Sequence, residues 1–338
     1  MHALLYTEAY DFEVREVATP RPAPDEVLLR VEAAGICASD VDGVSSRSPR
    51  RTPPLIMGHE LTGEVVAVGG PAGAHLDGAR VAVNPQVTCG DCLWCRSGQE
   101  NACGNRGLIG GTRPGGFAEL VVVPVRCIHR IAPGAPAEVA VLTEPLATCV
   151  HALSLIPEKF TSTAVVLGGG TIGTLAAQLL RTAGTLRVIV SEPILARHEI
   201  LRDVAEVIVA PEGLREAVLE ATGGAEADLA IDAVGTSSSR PASVRILRPG
   251  GCALWLGMHA QEATIPAFDM VVHEQRVVGS FAYTNSEFGR ALGLLESGRL
   301  VPAVSRRSVP LAGSDDVFRR LLDGALDGVL KEIVCPAN

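Results

Sequence analysis

Four cysteines with short, regular spacing stand out in the segment CGDCLWCRSGQENAC: Cys89, Cys92, Cys95 and Cys103. The spacing C-x2-C-x2-C-x7-C brings four thiolates onto one short loop, where they can surround a zinc ion tetrahedrally. All four positions around the ion are then filled, so the spacing predicts a structural metal site. An iron–sulfur cluster is the main alternative, but Gly104 stands where the ferredoxin pattern has proline. Free thiols are the remaining alternative.

A second set of possible ligands is spread along the chain: Cys37 in AGICASD, His59 and Glu60 in MGHELTGEVVAVG, and Glu144 in LTEPLATCVHA. Taken singly, a cysteine is usually a small buried apolar residue, a histidine a hydrogen-bonded core residue and a glutamate a surface charge. Taken together, each follows or adjoins an apolar β-type segment where several loops can converge. A thiolate, an imidazole and a carboxylate are the donors of a catalytic zinc with one open position. An ion of this kind acts as a Lewis acid on a hydroxyl or carbonyl oxygen.

A glycine turn follows the apolar segment TAVVL and precedes the helical segment TLAAQLL. Gly168, Gly170 and Gly173 form G-x-G-x-x-G, which lets a pyrophosphate approach the backbone at a helix N-terminus. Glu192 ends the next strand, where a carboxylate can accept hydrogen bonds from ribose hydroxyls and repel a 2′-phosphate. The sequence therefore predicts NAD as the cofactor, with NADP less favoured. Arg197 favours NADP instead, because a guanidinium can pair with a phosphate.

The surrounding elements divide the chain into two patterns. Residues 1 to about 145 contain short β-type segments separated by Gly, Pro and Asp, whereas from about residue 163 strands alternate with helices, as in a parallel sheet. Further strands are predicted at 227–235, 251–257 and 276–283, followed by a helix in SEFGRALGLLESG. The tail VLKEIVCPAN is predicted to be a strand that returns to the first domain.

Composition limits the possible partners. The 338 residues are 47% hydrophobic and carry a formal net charge of −9, which opposes binding to phosphate backbones and acidic membrane surfaces. We therefore expect a small-molecule partner, with no nucleic acid and no membrane, and a zinc ribbon for nucleic acid is disfavoured. No apolar run is long enough for a membrane span and the N-terminus lacks a signal-like segment. With an odd count of nine cysteines, these features predict a cytoplasmic protein with thiols or metal ligands in place of disulfides.

The motif GHE-x2-G-x5-G from Gly58 to Gly69, the four-cysteine loop and the glycine turn together resemble the zinc-containing medium-chain dehydrogenase/reductase family. The resemblance covers essentially the whole chain. It implies an α/β protein with a GroES-like β-rich catalytic domain and a Rossmann domain built on a doubly wound parallel sheet. The expected boundaries are 1–147 and 284–338 for the catalytic domain, with the zinc lobe at about 85–105, and 148–283 for the NAD-binding domain.

The resemblance also implies site residues. It places Cys37, His59, Glu60 and Glu144 around a catalytic zinc, in addition to the structural zinc, so that two zinc ions are expected per chain. Ser39 matches the hydroxyl that takes the alcohol proton, and Asp40 matches a carboxylate that orients the ligand histidine. The resemblance places further residues along the cofactor, in addition to the three glycines, Glu192 and Arg197. They are Thr171, Ile172, Val234, Gly235, Leu256, Gly257 and Thr148. For the last five of these, a structural role at a strand end is the alternative.

Glu144 in TEPLA resembles the polyol, threonine and butanediol dehydrogenase branch, since the alcohol dehydrogenases proper tend to have cysteine there. The expected activity is hydride transfer between a secondary alcohol, such as a diol, polyol, cyclitol or sugar alcohol, and NAD, in a homotetramer or homodimer. A same-fold reductase of activated double bonds and a non-catalytic NAD-binding redox sensor are the alternatives. The presence of Cys37, His59 and Glu144 as a set opposes the reductase.

Two positions depart from the family pattern. Asp42 stands where relatives often have a histidine that ends the proton relay, so either Asp42 relays the proton through water or another group does. The alternative is that Asp42 is an ordinary loop aspartate. Ala282 precedes Tyr283 where sorbitol dehydrogenases have arginine, which predicts a less polar pocket, closer to the butanediol type.

The four remaining cysteines, at 127, 149, 252 and 335, are expected in the core. Lys159 and Lys331, the only two lysines, are attributed to compositional bias.

Overall fold

A computed structural model describes residues 1–9, 11–156, 162–325 and 327–336. Lys159 therefore lies outside the described residues. None of the helices in these ranges is long and apolar enough to cross a membrane. All nine cysteines fall within the described ranges and are free, and the four expected in the core are buried.

The first part of the chain is rich in short strands. They are β1 (His2–Tyr6), β2 (Phe12–Glu16), β3 (Glu26–Gly35), β4 (Leu55–Ile56), β5 (Glu60–Val68), β6 (Arg80–Val83), β7 (Gln86–Val87), β8 (Gly107–Leu108), β9 (Leu120–Pro124) and β10 (Ile128–Arg130). A largely antiparallel sheet runs in the order β10-β6-β5-β3, with β9 also paired to β3. Apolar residues alternate along β3, and its inward side chains Val27, Leu29 and Val31 are fully buried. This alternation is what a strand with one covered face requires.

Two late strands complete this sheet. They are β17 (Arg306–Pro310) and β18 (Lys331–Cys335). The strand β18 is antiparallel to β3 and parallel to β17, so the C-terminal segment lies in the same sheet as the N-terminal part. The expected return of the tail is therefore observed, and it brings Lys331 beside the end of β3.

The middle of the chain forms a second, parallel sheet. Its strands are β11 (Thr163–Leu167), β12 (Arg187–Ser191), β13 (Val207–Val209), β14 (Ala227–Asp232), β15 (Leu247–Trp255) and β16 (Arg276–Gly279). They lie in the order β13-β12-β11-β14-β15-β16, all parallel. This is the doubly wound dinucleotide-binding order, whose ligand lies beyond the carboxyl ends of the strands where the order reverses. The strand predicted at 276–283 is shorter than expected, ending at Gly279.

The helices are α1 (Ala38–Ser45), α2 (Leu93–Arg96), α3 (Ala137–Ala140), α4 (Thr143–Ser154), α5 (Thr171–Thr182), α6 (His198–Leu201), α7 (Leu214–Thr222), α8 (Ser239–Arg245), α9 (Ala267–Val272), α10 (Asn285–Glu296) and α11 (Ser314–Leu322). One apolar core includes buried residues of both sheets, among them Ala33 of β3, Leu146 of α4 and Val166 of β11. Because α4 belongs to this shared core, its first turn is fixed between the two sheets. The sheet memberships support the domain boundaries given above, which stay a proposal.

Candidate active site and metal centres

Three of the predicted ligands converge where β3 ends and β5 begins. Cys37 is the N-cap of α1, and His59 and Glu60 lie at the start of β5, which pairs with β3 so that Glu60 faces Gly35. The ligand atoms of Cys37, His59 and Glu60 all lie within 4.8 Å of one another. A side chain at position 35 would clash, because a Cβ there would lie 2.2 Å from Glu60 Oε2. Sulfur, nitrogen and carboxylate oxygen at this spacing fit a zinc ion with a further position open.

Lys331 forms the contact that the sequence analysis missed. Its Nζ donates to both Glu60 carboxylate oxygens at 2.7 Å and to the Ile36 carbonyl at 3.1 Å. Lys331 is 2% exposed and Glu60 is fully buried. Burial by itself would lower the pKa of Lys331, but the adjacent Glu60 carboxylate raises it above its ordinary value, so the ammonium stays charged. Attributing Lys331 to compositional bias was therefore wrong. A lone lysine in a C-terminal strand carries no local motif that could have revealed this pairing.

Asp40 lies beside two candidate ligands. Its Oδ1 lies 3.2 Å from His59 Nδ1, and its Oδ2 accepts the Cys37 backbone N–H at 3.2 Å. Arg51, which no motif indicated, donates from Nη2 to Asp40 Oδ1 at 2.9 Å. Burial opposes ionisation of Asp40, but His59 and Arg51 offset it and lower its pKa to about 2. A carboxylate on the far nitrogen of a ligand histidine fixes the ring and its tautomer.

Ser39 lies in the first turn of α1, beside this cluster. Its Oγ donates to Cys37 Sγ at 3.3 Å and accepts a hydrogen bond from Arg51 Nη2 at 3.1 Å. Arg51 therefore takes one of the two acceptor lone pairs of the hydroxyl, and the second lone pair can accept a hydrogen bond from a bound alcohol. A hydroxyl with these contacts suits a group that passes on the proton of that alcohol.

Glu144 lies near the three donors but outside their cluster. It is in the first turn of α4, and the Tyr283 hydroxyl donates to its Oε1 at 2.8 Å. Burial raises the pKa of Glu144 above its ordinary value, and the Glu60 carboxylate acts in the same direction. A divalent cation nearby would favour the ionised form instead. Tyr283, the residue that follows Ala282, therefore holds the Glu144 side chain. The sequence pattern did not predict this contact.

Charge in this region also favours a divalent cation. In the state that metal binding requires, Cys37 is a thiolate, His59 is neutral and Glu144 is ionised. The anionic groups are then Cys37, Asp40, Glu60 and Glu144, and the cations facing them are Arg51 and Lys331. Four negative groups against two positive groups leave two uncompensated negative charges in a mostly buried region. Because unpaired buried charge is costly, a divalent metal ion is the neutralising partner that these residues fit.

The four-cysteine loop has the geometry of a closed metal site. Its sulfur atoms are 3.5 Å apart for Cys92–Cys95 and Cys103–Cys89, and 3.8 Å apart for Cys89–Cys95. A tetrahedron with metal–sulfur bonds of about 2.3 Å has edges of about 3.8 Å. The four sulfurs therefore fit around one ion, whereas an iron–sulfur cluster would spread them over several iron atoms.

The glycine turn joins β11 to α5 as expected. Gly168 has φ +93, which favours glycine, and a Cβ at Gly173 would lie 1.7 Å from the Gly168 carbonyl oxygen. Gly170 is the N-cap of α5, and no described atom lies within 4 Å of a Cβ added there. Gly170 therefore borders open space at a helix N-terminus, which is where a pyrophosphate binds.

Glu192 lies beside this turn and is 2% exposed. Its Oε2 accepts the Gly169 backbone N–H at 2.7 Å, and its Oε1 accepts that of Ile194 at 2.8 Å. Arg197 Nη1 lies 3.5 Å from Glu192 Oε2. The carboxylate thus stabilises the turn itself, and Oε1 keeps a further lone pair for a ligand.

The other predicted cofactor residues lie at the strand ends around this turn. Close approach between Gly235 and Gly257 excludes side chains, since a Cβ at either would lie 2.1 Å from backbone of the other loop. The Thr171 hydroxyl donates to the Leu330 carbonyl at 2.6 Å, which ties α5 to the C-terminal segment. The remaining residues are Ile172 in the first turn of α5, Thr148 half-buried on α4, Val234 after β14 and Leu256 after β15.

A β-rich domain that carries an open Cys/His/Glu site next to a dinucleotide-binding sheet defines a metal-dependent nicotinamide dehydrogenase. Comparisons with known proteins give the same class. Residues 23–133 match the family "Alcohol dehydrogenase GroES-like domain" and residues 171–297 match "Zinc-binding dehydrogenase". The chain belongs to the zinc-containing medium-chain dehydrogenase/reductase family.

Individual relatives cover most of the chain. An L-threonine 3-dehydrogenase of Pyrococcus abyssi (strain GE5 / Orsay) is 32% identical, over 82% of this chain and 82% of its own. A D-altritol 5-dehydrogenase of Agrobacterium fabrum (strain C58 / ATCC 33970) is 31% identical, over 92% of this chain and 93% of its own. A Sinorhizobium meliloti 1021 protein described as a zinc-binding dehydrogenase, solved bound to NADP, superposes with TM-score 0.91 at 34% identity and 99% coverage of both chains.

These comparisons confirm the family and the fold class. The protein is an oxidoreductase that acts on CH–OH groups of small molecules with a nicotinamide dinucleotide.

Proposed function

We propose that the protein interconverts a secondary alcohol and its ketone with NAD, at a zinc ion held by Cys37, His59 and Glu60. The observation that carries this proposal is the convergence of these three donors, beside an intact dinucleotide turn. Glu60 is chosen as the third ligand because its carboxylate belongs to the cluster, whereas Glu144 is held next to it by Tyr283. The substrate class is a diol, polyol, cyclitol or sugar alcohol, by analogy with relatives such as the D-altritol 5-dehydrogenase.

Zinc supplies a Lewis acid at this position, which polarises a substrate hydroxyl or carbonyl oxygen. The protein residues do the rest of the work of positioning and proton transfer. Asp40 holds the His59 ring, Lys331 holds the Glu60 carboxylate, and Ser39 receives the hydroxyl proton. A bound NAD would accept the carbinol hydrogen as hydride, and the turn around Gly170 would hold its pyrophosphate.

NAD is the proposed cofactor because of the buried Glu192 carboxylate. A 2′-phosphate placed next to it would bring two further negative charges against a group that is 2% exposed. Arg197 already lies 3.5 Å from this carboxylate. The positive charge of Arg197 is therefore partly neutralised within the protein and attracts a 2′-phosphate less strongly. The S. meliloti relative was solved with NADP, which makes the ratio of kcat/KM for NAD and NADP the measurement of choice. A ratio below one would overturn the cofactor assignment.

A second zinc ion is proposed at Cys89, Cys92, Cys95 and Cys103, where it stabilises the loop without contacting substrate.

A homo-oligomer is also proposed. The edge strand β16 follows α9, whose Phe268, Val271 and Val272 are 80%, 79% and 59% exposed, an apolar surface typical of subunit contacts. The free thiols and metal-ligand cysteines suit a reducing cytoplasmic compartment.

The direct test is an NAD-linked activity screen over diols, polyols, cyclitols and amino alcohols, with zinc content measured on the same sample. We expect reduction of NAD with at least one class and a thousandfold or greater loss in Cys37→Ser, about 4 kcal/mol of transition-state stabilisation. Cys127→Ser, a substitution in a buried cysteine outside both metal sites, is the matched control and should retain activity. Binding of NAD without turnover of any alcohol would favour the redox sensor instead.

A further inference from the structure

Two polar side chains from different halves of the chain meet beside the proposed site. Asp42 lies on α1, and His259 lies in the loop that follows β15 and contains Gly257. Asp42 Oδ2 is 3.4 Å from His259 Nε2, and each side chain is 51% exposed. This contact therefore joins the metal-bearing half to the nucleotide-binding half within reach of solvent.

The orientation of the His259 ring is fixed by a second contact. Its Nδ1 lies 2.7 Å from the Val234 carbonyl oxygen. A carbonyl oxygen only accepts hydrogen bonds, so Nδ1 carries the hydrogen and Nε2 is the nitrogen turned toward Asp42. Two backbone hydrogen bonds hold the loop that carries His259. Gly257 N donates to the last residue of β14 at 2.9 Å, and Ala260 N donates to the loop that follows β14 at 2.7 Å.

Asp42 lies on the same helix as the proposed proton acceptor. Ser39 and Asp42 are three residues apart in α1, so their side chains lie on the same face of the helix. The Ser39 hydroxyl reaches Cys37 Sγ at 3.3 Å. One bridging water between Ser39 and Asp42 would connect the substrate side of this helix to its exposed side.

We infer that Asp42 and His259 form the outer end of the proton path that begins at Ser39, with His259 supplying the histidine that position 42 lacks. The inference rests on the proposed function. When the alcohol is oxidised, the carbinol hydrogen leaves as hydride to the cofactor and the hydroxyl hydrogen leaves as a proton. That proton passes through Ser39 and the bridging water to the Asp42 carboxylate, then to His259 Nε2, and from the exposed ring to water.

The charged surroundings of His259 suit this task. Asp42 from α1 is the titratable group in contact with the ring, and Val234 contributes a neutral carbonyl. Arg240 of α8 is the charged side chain tied to the same loop, where its Nη2 donates to the Gly257 carbonyl at 3.1 Å. An imidazole ring can accept a proton on its free nitrogen and release it to water, so His259 Nε2 can pass protons in both reaction directions.

The test compares His259→Gln with His273→Gln, an exposed histidine after α9 that serves as the matched control. We expect His259→Gln to lower kcat at pH 7 by about tenfold, less than the 10²–10⁴ of a direct acid–base group because water can partly replace an exposed one. The KM for NAD should stay unchanged, and added imidazole should restore the rate. Asp42→Asn should give the same loss, and the double variant should be no slower than either single variant.

Proton release gives a second readout, independent of steady-state turnover. In a stopped-flow experiment with a pH indicator, release of the proton should lag behind NADH formation in His259→Gln and should coincide with it in the wild type. A rise in the KM for NAD with unchanged kcat, or no response to imidazole, would show that His259 only positions the loop and would overturn the inference. Inactivity of the wild type with every alcohol would instead overturn the proposed function.

Discussion

Replacing Lys331 by methionine removes one charge of a buried pair while keeping a side chain of similar length. The Lys331 ammonium is 2% exposed and bonds both oxygens of the fully buried Glu60 at 2.7 Å. Without it, the Glu60 carboxylate is left without its cation in a fully buried position. Breaking a buried pair in this way costs about 3–5 kcal/mol. We expect Lys331→Met to lower the free energy of unfolding of the zinc-free protein by that amount.

The assay is urea unfolding in the presence of a chelator, followed by tryptophan fluorescence and circular dichroism. The double variant Lys331→Met/Glu60→Gln removes both charges and should recover most of the loss, because the penalty comes from the unpaired carboxylate. Arg15→Met is the control, since the Arg15–Glu13 pair is about half exposed and should contribute about 0–1 kcal/mol. Excess zinc should reduce the difference in the free energy of unfolding between Lys331→Met and the wild type.

Two results would refute this reasoning. A loss below about 1 kcal/mol for Lys331→Met would mean that Glu60 is not dependent on its ammonium partner. A double variant that is no more stable than Lys331→Met would mean that the loss comes from packing of the lysine stem and not from charge.

The remaining predictions concern the metal ligands, their supports and the cofactor. Cys89→Ser should lower zinc content from about two ions per chain to about one, with faster proteolysis in the cysteine loop, and an unchanged content would refute the closed site. Arg51→Leu should weaken zinc binding by about 10- to 100-fold at the Cys37 site, measured by competition with a chromophoric chelator, because Asp40 loses the cation that holds it against His59. Glu192→Gln should reduce the preference for NAD over NADP by about tenfold in kcat/KM, and an unchanged ratio would remove Glu192 from cofactor selection.

Local patterns predicted the fold well where short-range chemistry determines it. The strand–turn–helix around Gly168 and Gly173 needs glycine for steric reasons that can be read from the sequence alone, and the parallel sheet follows from the alternation of strands and helices. The return of the C-terminal strand to the first domain was also predicted, and the pairing of β18 with β3 confirms it. Strand ends were less certain, as β16 shows by stopping at Gly279.

The candidate site was predicted only in part. Cys37, His59 and Glu60 could be found because their residue types are those of a metal site, and the structure brings them together; their role as ligands stays a proposal. Lys331 could not be found, because it reaches Glu60 only through pairing between β18 and β3.

Two further contacts depended on long-range arrangement. Tyr283 contacts Glu144 across 139 residues of sequence, and His259 contacts Asp42 from the loop that follows β15. Nothing in the local sequence of either residue specifies its partner, since tyrosine and histidine occur at many exposed and buried positions without such roles. The Tyr283–Glu144 contact depends on the packing of α4 against α5 and α10, and the His259–Asp42 contact depends on the approach of the loop after β15 to α1.

The central claim is that a zinc ion at Cys37, His59 and Glu60 enables direct hydride transfer from a secondary alcohol to NAD. The most direct measurement uses the alcohol identified in the activity screen, deuterated on its carbinol carbon, and mass spectrometry of the reduced cofactor. We predict deuterium in the reduced nicotinamide, loss of the transfer when zinc is removed, and its return when zinc is added back. Reduced cofactor without deuterium, or an undiminished rate in zinc-free protein, would contradict the account.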